Sequence, residues 1–128
     1  GLCVRVCRDE IGVSAIAFAG RGQKRHVTAE FGKLSELCIG CGSCAAICPT
    51  QAIRLEDADG VRTIRMMDLP VARFTMVRCA SCGAPFATRK LLDAVDERLR
   101  DQPPSDAGGD CPECRRVRHA AALAAELE

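Results

Sequence analysis

The chain is 128 residues long, which bounds it to one or two small domains. Its 18 basic and 17 acidic residues leave a net charge of +1, so no global field draws it to nucleic acid or an anionic membrane. Hydrophobic residues make up 48% but aromatics only 3%, with no Trp or Tyr, which excludes a large aromatic core. Small domains short of a core are held by metals or disulfides, and ten cysteines could supply either. Their tight Cys-x-x-Cys and Cys-x-x-x-Cys spacings suit a metal, because cysteines so close in sequence are poor disulfide partners. No apolar run approaches the ~18 residues of a transmembrane helix, and no signal peptide is visible. Reduced thiolates used as ligands fit a reducing compartment, so a cytoplasmic location is expected.

In chain order, the first feature is GLCVRVCR, where Cys3 and Cys7 stand in a Gly-x-Cys-x-x-x-Cys frame. The frame returns later: Gly1 aligns with Gly42, Cys3 with Cys44, Cys7 with Cys48, and Ala15-Ile16 with Ala52-Ile53 after a short insertion. In the second copy Cys38 and Cys41 precede the glycine, and their counterparts would lie before Gly1, so the chain reads as truncated there. Residues 8–37 then form a long connection. Val13 to Ala19 is apolar and partly β-branched, Gly20-Arg21-Gly22 is a turn signal, and Arg25 to Phe31 alternates with period two, which predicts a hairpin. The GRG turn is too short for a phosphate loop and lacks its lysine–hydroxyl ending.

Next comes Cys38-Ile-Gly-Cys41-Gly-Ser-Cys44-Ala-Ala-Ile-Cys48-Pro49, a full Cys-x2-Cys-x2-Cys-x3-Cys-Pro run of the bacterial ferredoxin type. Three thiolates two residues apart, on a loop loosened by Gly40 and Gly42, can wrap three irons of one cubane. The fourth leads into a short helix and points toward another cluster. A radical-enzyme loop is excluded, because Glu10 occupies the place where its third cysteine would follow Cys7. From Ile53, IRLEDADGVRTIRMM predicts two strands about a turn at Asp57-Ala58-Asp59-Gly60, a hairpin that shields the cluster from water. Exposure, charge and amide bonds to sulfur tune such clusters across roughly −700 to +450 mV. Residues 66–74, MMDLPVARF, carry Pro70 and mark an expected domain boundary.

Beyond it lie Cys79-Ala-Ser-Cys82-Gly83 and Cys111-Pro-Glu-Cys114, two knuckles that predict a tetrahedral four-thiolate site for zinc or a single iron. Between them TRKLLDAVDERLRD sets Leu91, Leu92, Val95 and Leu99 on one helical face, stopped by Pro103-Pro104. The knuckles resemble those of rubredoxin, but this segment holds only Phe74 and Phe86 as aromatics and rubredoxin has no such helix. A zinc ribbon with a helical insertion is the first choice, with a third iron–sulfur cluster or rubredoxin-type iron as alternatives. Arg115, Arg116 and Arg118 open a last helix whose Val117, Ala121, Ala124 and Leu127 form an amphipathic docking face. Balanced charge and the shortage of stacking aromatics argue against nucleic acid. His26 and His119 are isolated, and four thiolates already fill a structural zinc site.

The cysteine run resembles that of two-cluster [4Fe–4S] ferredoxins. That resemblance implies one complete cluster held by Cys38, Cys41, Cys44 and Cys7. It implies a second held by Cys3, Cys48 and two cysteines belonging before Gly1. The wording CVRVCRDEIGVSAIAFAGRG, FGKLSELCIGCGSC and CPTQAI is similar, over about residues 1–56, to the double-cluster module of complex I-like electron-input subunits. Such subunits occur in NAD-reducing hydrogenases, NAD-dependent formate dehydrogenases and respiratory NADH dehydrogenase. In that family the first motif usually ends Cys-Arg rather than Cys-Pro, as Cys7-Arg8 does. The [2Fe–2S] domain and His/Cys-ligated cluster often found upstream in the family are not in this sequence.

The expected fold is α+β: a ferredoxin-like iron–sulfur domain with hairpin insertions over residues 1–70, and a four-cysteine, zinc-ribbon-like domain with helices over 71–128. No Ser/His/Asp set, carboxylate pair or phosphate loop accompanies the cysteines, so the expected role is a non-catalytic electron-transfer subunit of an oxidoreductase. Its partners would be a flavin/NAD subunit, a hydrogenase or a molybdenum or tungsten formate dehydrogenase. The rival expectation is an iron–sulfur and zinc regulatory protein that senses oxygen or binds nucleic acid.

Overall fold

The computed structural model describes residues 1–29, 36–102 and 109–125. Glu30 and Phe31 of the expected second strand, the Pro103-Pro104 stop and Leu127 of the terminal helix face lie outside the described residues. Two short helical pieces begin the chain, α1 (Leu2–Arg5) and a wider π-type turn over Val6–Glu10. Then β1 (Ile16–Ala19) pairs antiparallel with β2 (His26–Ala29), Ile16 opposite Ala29 and Ala19 opposite His26. The expected hairpin is present, but its first strand starts three residues later than its apolar run. The reason is local: the Val13 and Ser14 amides donate to the Cys7 carbonyl, and the Ala15 amide points at the Cys7 sulfur, 3.3 Å away. Those residues wrap Cys7 instead of extending, with Ser14 in a left-handed conformation.

After α2 (Ser43–Ala46) the chain forms β3 (Ile53–Ala58), β4 (Val61–Met66), β5 (Leu69–Arg78) and β6 (Pro85–Thr88), a four-stranded antiparallel meander. The turn read from DADG is a two-residue loop in which Asp59 and Gly60 both have positive φ, the twist that matches the flanking strands. The second turn was not signalled. Met67 and Asp68 also carry positive φ, although neither is glycine, and Met66 pairs with Leu69 across them. Pro70, expected as a boundary, lies within β5 opposite Arg65, where the register shifts between Ile64 and Arg65; a bulge is a place where a strand accommodates proline. The division expected at 70/71 therefore falls inside a strand that pairs with β4 at one end and β6 at the other.

Thr88 ends β6 and caps α3 (Arg89–Arg98), accepting the Leu91 amide on its hydroxyl. The last helix, α4, runs Pro112–Ala125. Neither α3 nor α4 contains a buried residue; Val95 and Val117, expected on packed faces, are exposed. The core lies elsewhere and is small. Cys3, Val4, Ile16, Ala29, Ile53 and Ile64 form it, with Cys7, Cys38, Cys44 and Cys48 packed around. A core this small, with Phe74 as the aromatic packed against it, has little apolar area to bury, so metal bound by the thiols would add most to its cohesion.

Candidate metal centres

Ten free cysteines divide between three places in the described structure. In the first, Cys7 from the π-type turn meets Cys38, Cys41 and Cys44 from the loop leading into α2. Together they line one small cavity, walled by Ile11, Val13, Ile39 and Ile64. The loop can take this path because Gly40 and Gly42 adopt φ of +69° and +85°. Both glycines are also sterically required. A Cβ at Gly40 would lie 2.7 Å from the Phe74 ring and 2.9 Å from the Thr88 methyl, and one at Gly42 would lie 2.6 Å from Leu55. Gly40→Ala is therefore expected to cost about 2–4 kcal/mol, from left-handed strain plus overpacking. A fall in melting temperature and in cluster yield checks this.

The chemistry of these thiols calls for cations among them. Burial, followed by repulsion from Cys41, Cys38 and Cys7, pushes the Cys44 thiol up to about 12. Burial also raises Cys38, against a backbone amide that lowers it. Four thiolates cannot ionise together in an apolar cavity unless positive charge sits between them. Iron supplies that charge, so the donor set, the cavity and the apolar wall fit an iron–sulfur cluster.

Residues distant in sequence hold the loop and the segment after Cys7 from outside. The Thr88 hydroxyl donates to the Ile39 carbonyl at 2.5 Å, and Lys90 Nζ donates to the Glu36 carbonyl at 2.9 Å. Arg98 donates to the Ile11 carbonyl at 2.7 Å. Arg62 donates Nη1 to the Gly40 carbonyl at 3.2 Å, while its other nitrogens grip Asp57 at 2.9 and 2.7 Å. That bond to Arg62 holds the Asp57 carboxyl below its ordinary range. No motif reading could single out Arg62, Phe74, Thr88, Lys90 or Arg98, because each acts only through a contact made by folding.

Cys3 and Cys48 do not line this cavity. Cys3 is buried on α1, and Cys48 is half-buried beyond α2, both against the same core. The Cys48 sulfur lies 3.5 Å from the Thr50 hydroxyl. That hydroxyl, then the Ile53 amide, bring its thiol down to about 7. Such a sulfur is prepared to be an anion.

The third place is the tail. Cys79, Cys82, Cys111 and Cys114 have sulfurs that all lie within 4.8 Å of one another, and Cys82 and Cys111 are 3.9 Å apart. A tetrahedron with metal–sulfur bonds of about 2.3 Å has edges of about 3.8 Å, so this set is sized for a single ion. The Cys111 amide donates to the Cys79 sulfur at 3.2 Å, and the Cys114 amide to the Cys111 sulfur at 3.4 Å, the bonds that hold knuckles. The Cys111 and Cys82 amides draw Cys79 down to about 6, whereas hydrogen bonding to Cys111 raises Cys114. Behind them Asp110, 3% exposed, accepts the Ser81 hydroxyl at 2.6 Å and pairs with Arg118. Arg118 thus clamps α4 to the site. His119 is exposed and is not among the four donors, and His26 Nδ1 sits 2.9 Å from the Lys24 carbonyl at the hairpin end.

Among the described residues no helix is long and apolar enough to cross a membrane. No curated protein matches the chain. Residues 37–88 match the family model described as a 4Fe-4S dicluster domain, a span that takes in Cys38, Cys41, Cys44 and Cys48 and runs on through Cys79 and Cys82. With that match and the metal-ready cysteine group, the chain contains an iron–sulfur, ferredoxin-like module of mixed α and β structure.

Proposed function

We propose that the chain is an electron-transfer subunit that relays single electrons between the redox centres of a larger oxidoreductase of the hydrogenase, formate dehydrogenase or NADH dehydrogenase type. The observation that carries this reading is the cavity in which Cys7, from one motif, joins Cys38, Cys41 and Cys44 from the other. Those four hold the complete cluster, and Cys3 with Cys48 contributes to a second. A bound [4Fe–4S] cluster supplies one-electron chemistry. The chain's residues hold it, exclude water with Ile11, Val13, Ile39 and Ile64, and place Arg62 and Lys90 where they offset negative charge.

The tail binds one ion through Cys79, Cys82, Cys111 and Cys114, with zinc as the expected metal. The family match extends through Cys79 and Cys82, which favours iron there as the second reading. Spacing within 4.8 Å favours a lone ion over a further cluster in either case. The two metal units share one sheet and work in the cytoplasm beside a flavin/NAD, hydrogenase or molybdenum/tungsten formate dehydrogenase subunit.

Dithionite reduction followed by electron paramagnetic resonance tests the function. A reversible signal of a reduced [4Fe–4S] cluster, without cluster loss, is expected. Loss of the cluster in air that changes nucleic-acid binding would replace the relay with a sensor. Arg62→Gln makes the electrostatic part quantitative. Removing a cation beside the loop lowers the cluster potential by roughly 40 mV, the equivalent of about 1 kcal/mol for one electron. A redox titration of both proteins checks sign and size.

A further inference from the structure

We propose that the groove between β5 and the start of α3 is the docking surface for an acidic electron-carrier protein. This rests on the electron-transfer reading above and names the side from which electrons arrive. Arg73, Arg89 and Lys90 line the groove together with Phe74 and Val77, and no carboxylate is among its lining residues. Several other arginines, among them Arg8, Arg54, Arg62, Arg65, Arg100 and Arg116, pair with carboxylates. Among the described residues Arg73 and Arg89 form no ion pair, and both are exposed. The groove is thus a basic patch on a chain whose net charge is only +1.

That place adjoins the cluster cavity. Phe74 forms part of the groove, and its ring lies against Gly40, between Cys38 and Cys41. Lys90 Nζ is 6.0 Å from the same ring and bonds the Glu36 carbonyl, two residues before Cys38. A carrier seated there is separated from the cysteine loop by one aromatic ring. Tunnelling rates fall exponentially with distance, so a charged surface at this point is placed for rapid transfer. Redox encounters are small and transient, and their rates are set by electrostatic steering. Nucleic acid suits the groove less well, because its one aromatic ring packs on Gly40 beneath Lys90 and offers no open face for a base.

The test uses the full chain with its cluster and two reductants: a small reduced ferredoxin of strongly negative net charge, and cationic reduced methyl viologen. In Arg73→Glu/Arg89→Glu, stopped-flow reduction by ferredoxin at low ionic strength is expected to slow at least ~10-fold. Reduction by viologen is expected not to slow. Wild-type reduction by ferredoxin should fall steeply with added salt, a measurement that stands even if the variant does not fold. Equal ferredoxin rates in both proteins, equal slowing with both reductants, or a flat salt dependence would each overturn the docking surface. So would loss of RNA binding in the variant with an unchanged ferredoxin rate. A wild-type cluster reduced by viologen but not by ferredoxin defeats the docking alone. A cluster that neither reagent reduces defeats the electron-transfer reading and the docking with it.

Discussion

Cys41→Ala is expected to abolish the [4Fe–4S] signal, both the broad visible absorption and the paramagnetic spectrum of the reduced protein. Cys41 lies at the centre of the loop, between the two left-handed glycines, and lines the cavity with Cys7, Cys38 and Cys44. Removing it leaves three half-buried thiols around a space lined by four. Burial already pushes the Cys44 thiol up to about 12 when no cation is present, so that thiol keeps its proton. Cys48→Ala provides the contrast. Cys48 is not among the cavity's lining residues, so this variant is expected to keep the complete cluster. Retention of the four-iron spectrum in Cys41→Ala, or its loss in Cys48→Ala alone, would contradict the ligand assignment. Comparing the two also separates a specific effect from a general loss of folding, since both replace a cysteine of the same run.

Stripping the tail metal, by chelation or by Cys111→Ser, is expected to have the second large effect. Metal analysis should first find one ion per chain outside the cluster iron. Structural zinc contributes about 10–16 kcal/mol in small knuckle peptides, and here little else competes with it. Neither α3 nor α4 buries a residue, and the buried groups nearest the knuckles are Cys79, Cys111 and Asp110 themselves. Without metal, the Asp110–Arg118 clamp has nothing to close over, so α4 loses its anchor and helical circular dichroism falls. The loss should then reach the cluster. The Cys79 and Cys82 knuckle lies between β5 and β6, and β6 ends in Thr88, which bonds the Ile39 carbonyl. Faster bleaching of the cluster in air is the expected consequence. A tail that keeps its helices and leaves cluster lifetime unchanged without metal would show that the ion is not structural.

Much of the chemistry was legible because it is local. A Cys-x2-Cys-x2-Cys-x3-Cys run, two knuckles and a DADG turn each act within a few residues, so backbone stereochemistry alone links their spacing to a shape. Asp59 and Gly60 confirm this, turning the chain in two residues as the strand twist demands. The turn at Met67 and Asp68 shows the limit. Two non-glycine residues hold left-handed conformations there because pairing of β4 with β5 outweighs their local cost, and nothing in MMDLP announces it. For the same reason Pro70 read as a boundary, although it sits at a register shift inside β5.

Residue type and spacing by themselves determined which side chains carry the chemistry: ten thiols in tight groups, with too few aromatics to make any other kind of core. Only the tertiary structure decided how those thiols are shared out and supported. It brings Cys7 to Cys38, Cys41 and Cys44, leaves Cys3 and Cys48 outside that cavity, uses Arg62, Thr88 and Lys90 to hold the cysteine loop by its carbonyls, and ties Arg98 to the Ile11 carbonyl beyond Cys7. Ligand spacing is a short-range property of the chain. Contacts between a loop near residue 39 and a helix cap at residue 88 are long-range, and they exist only once the sheet between them has formed.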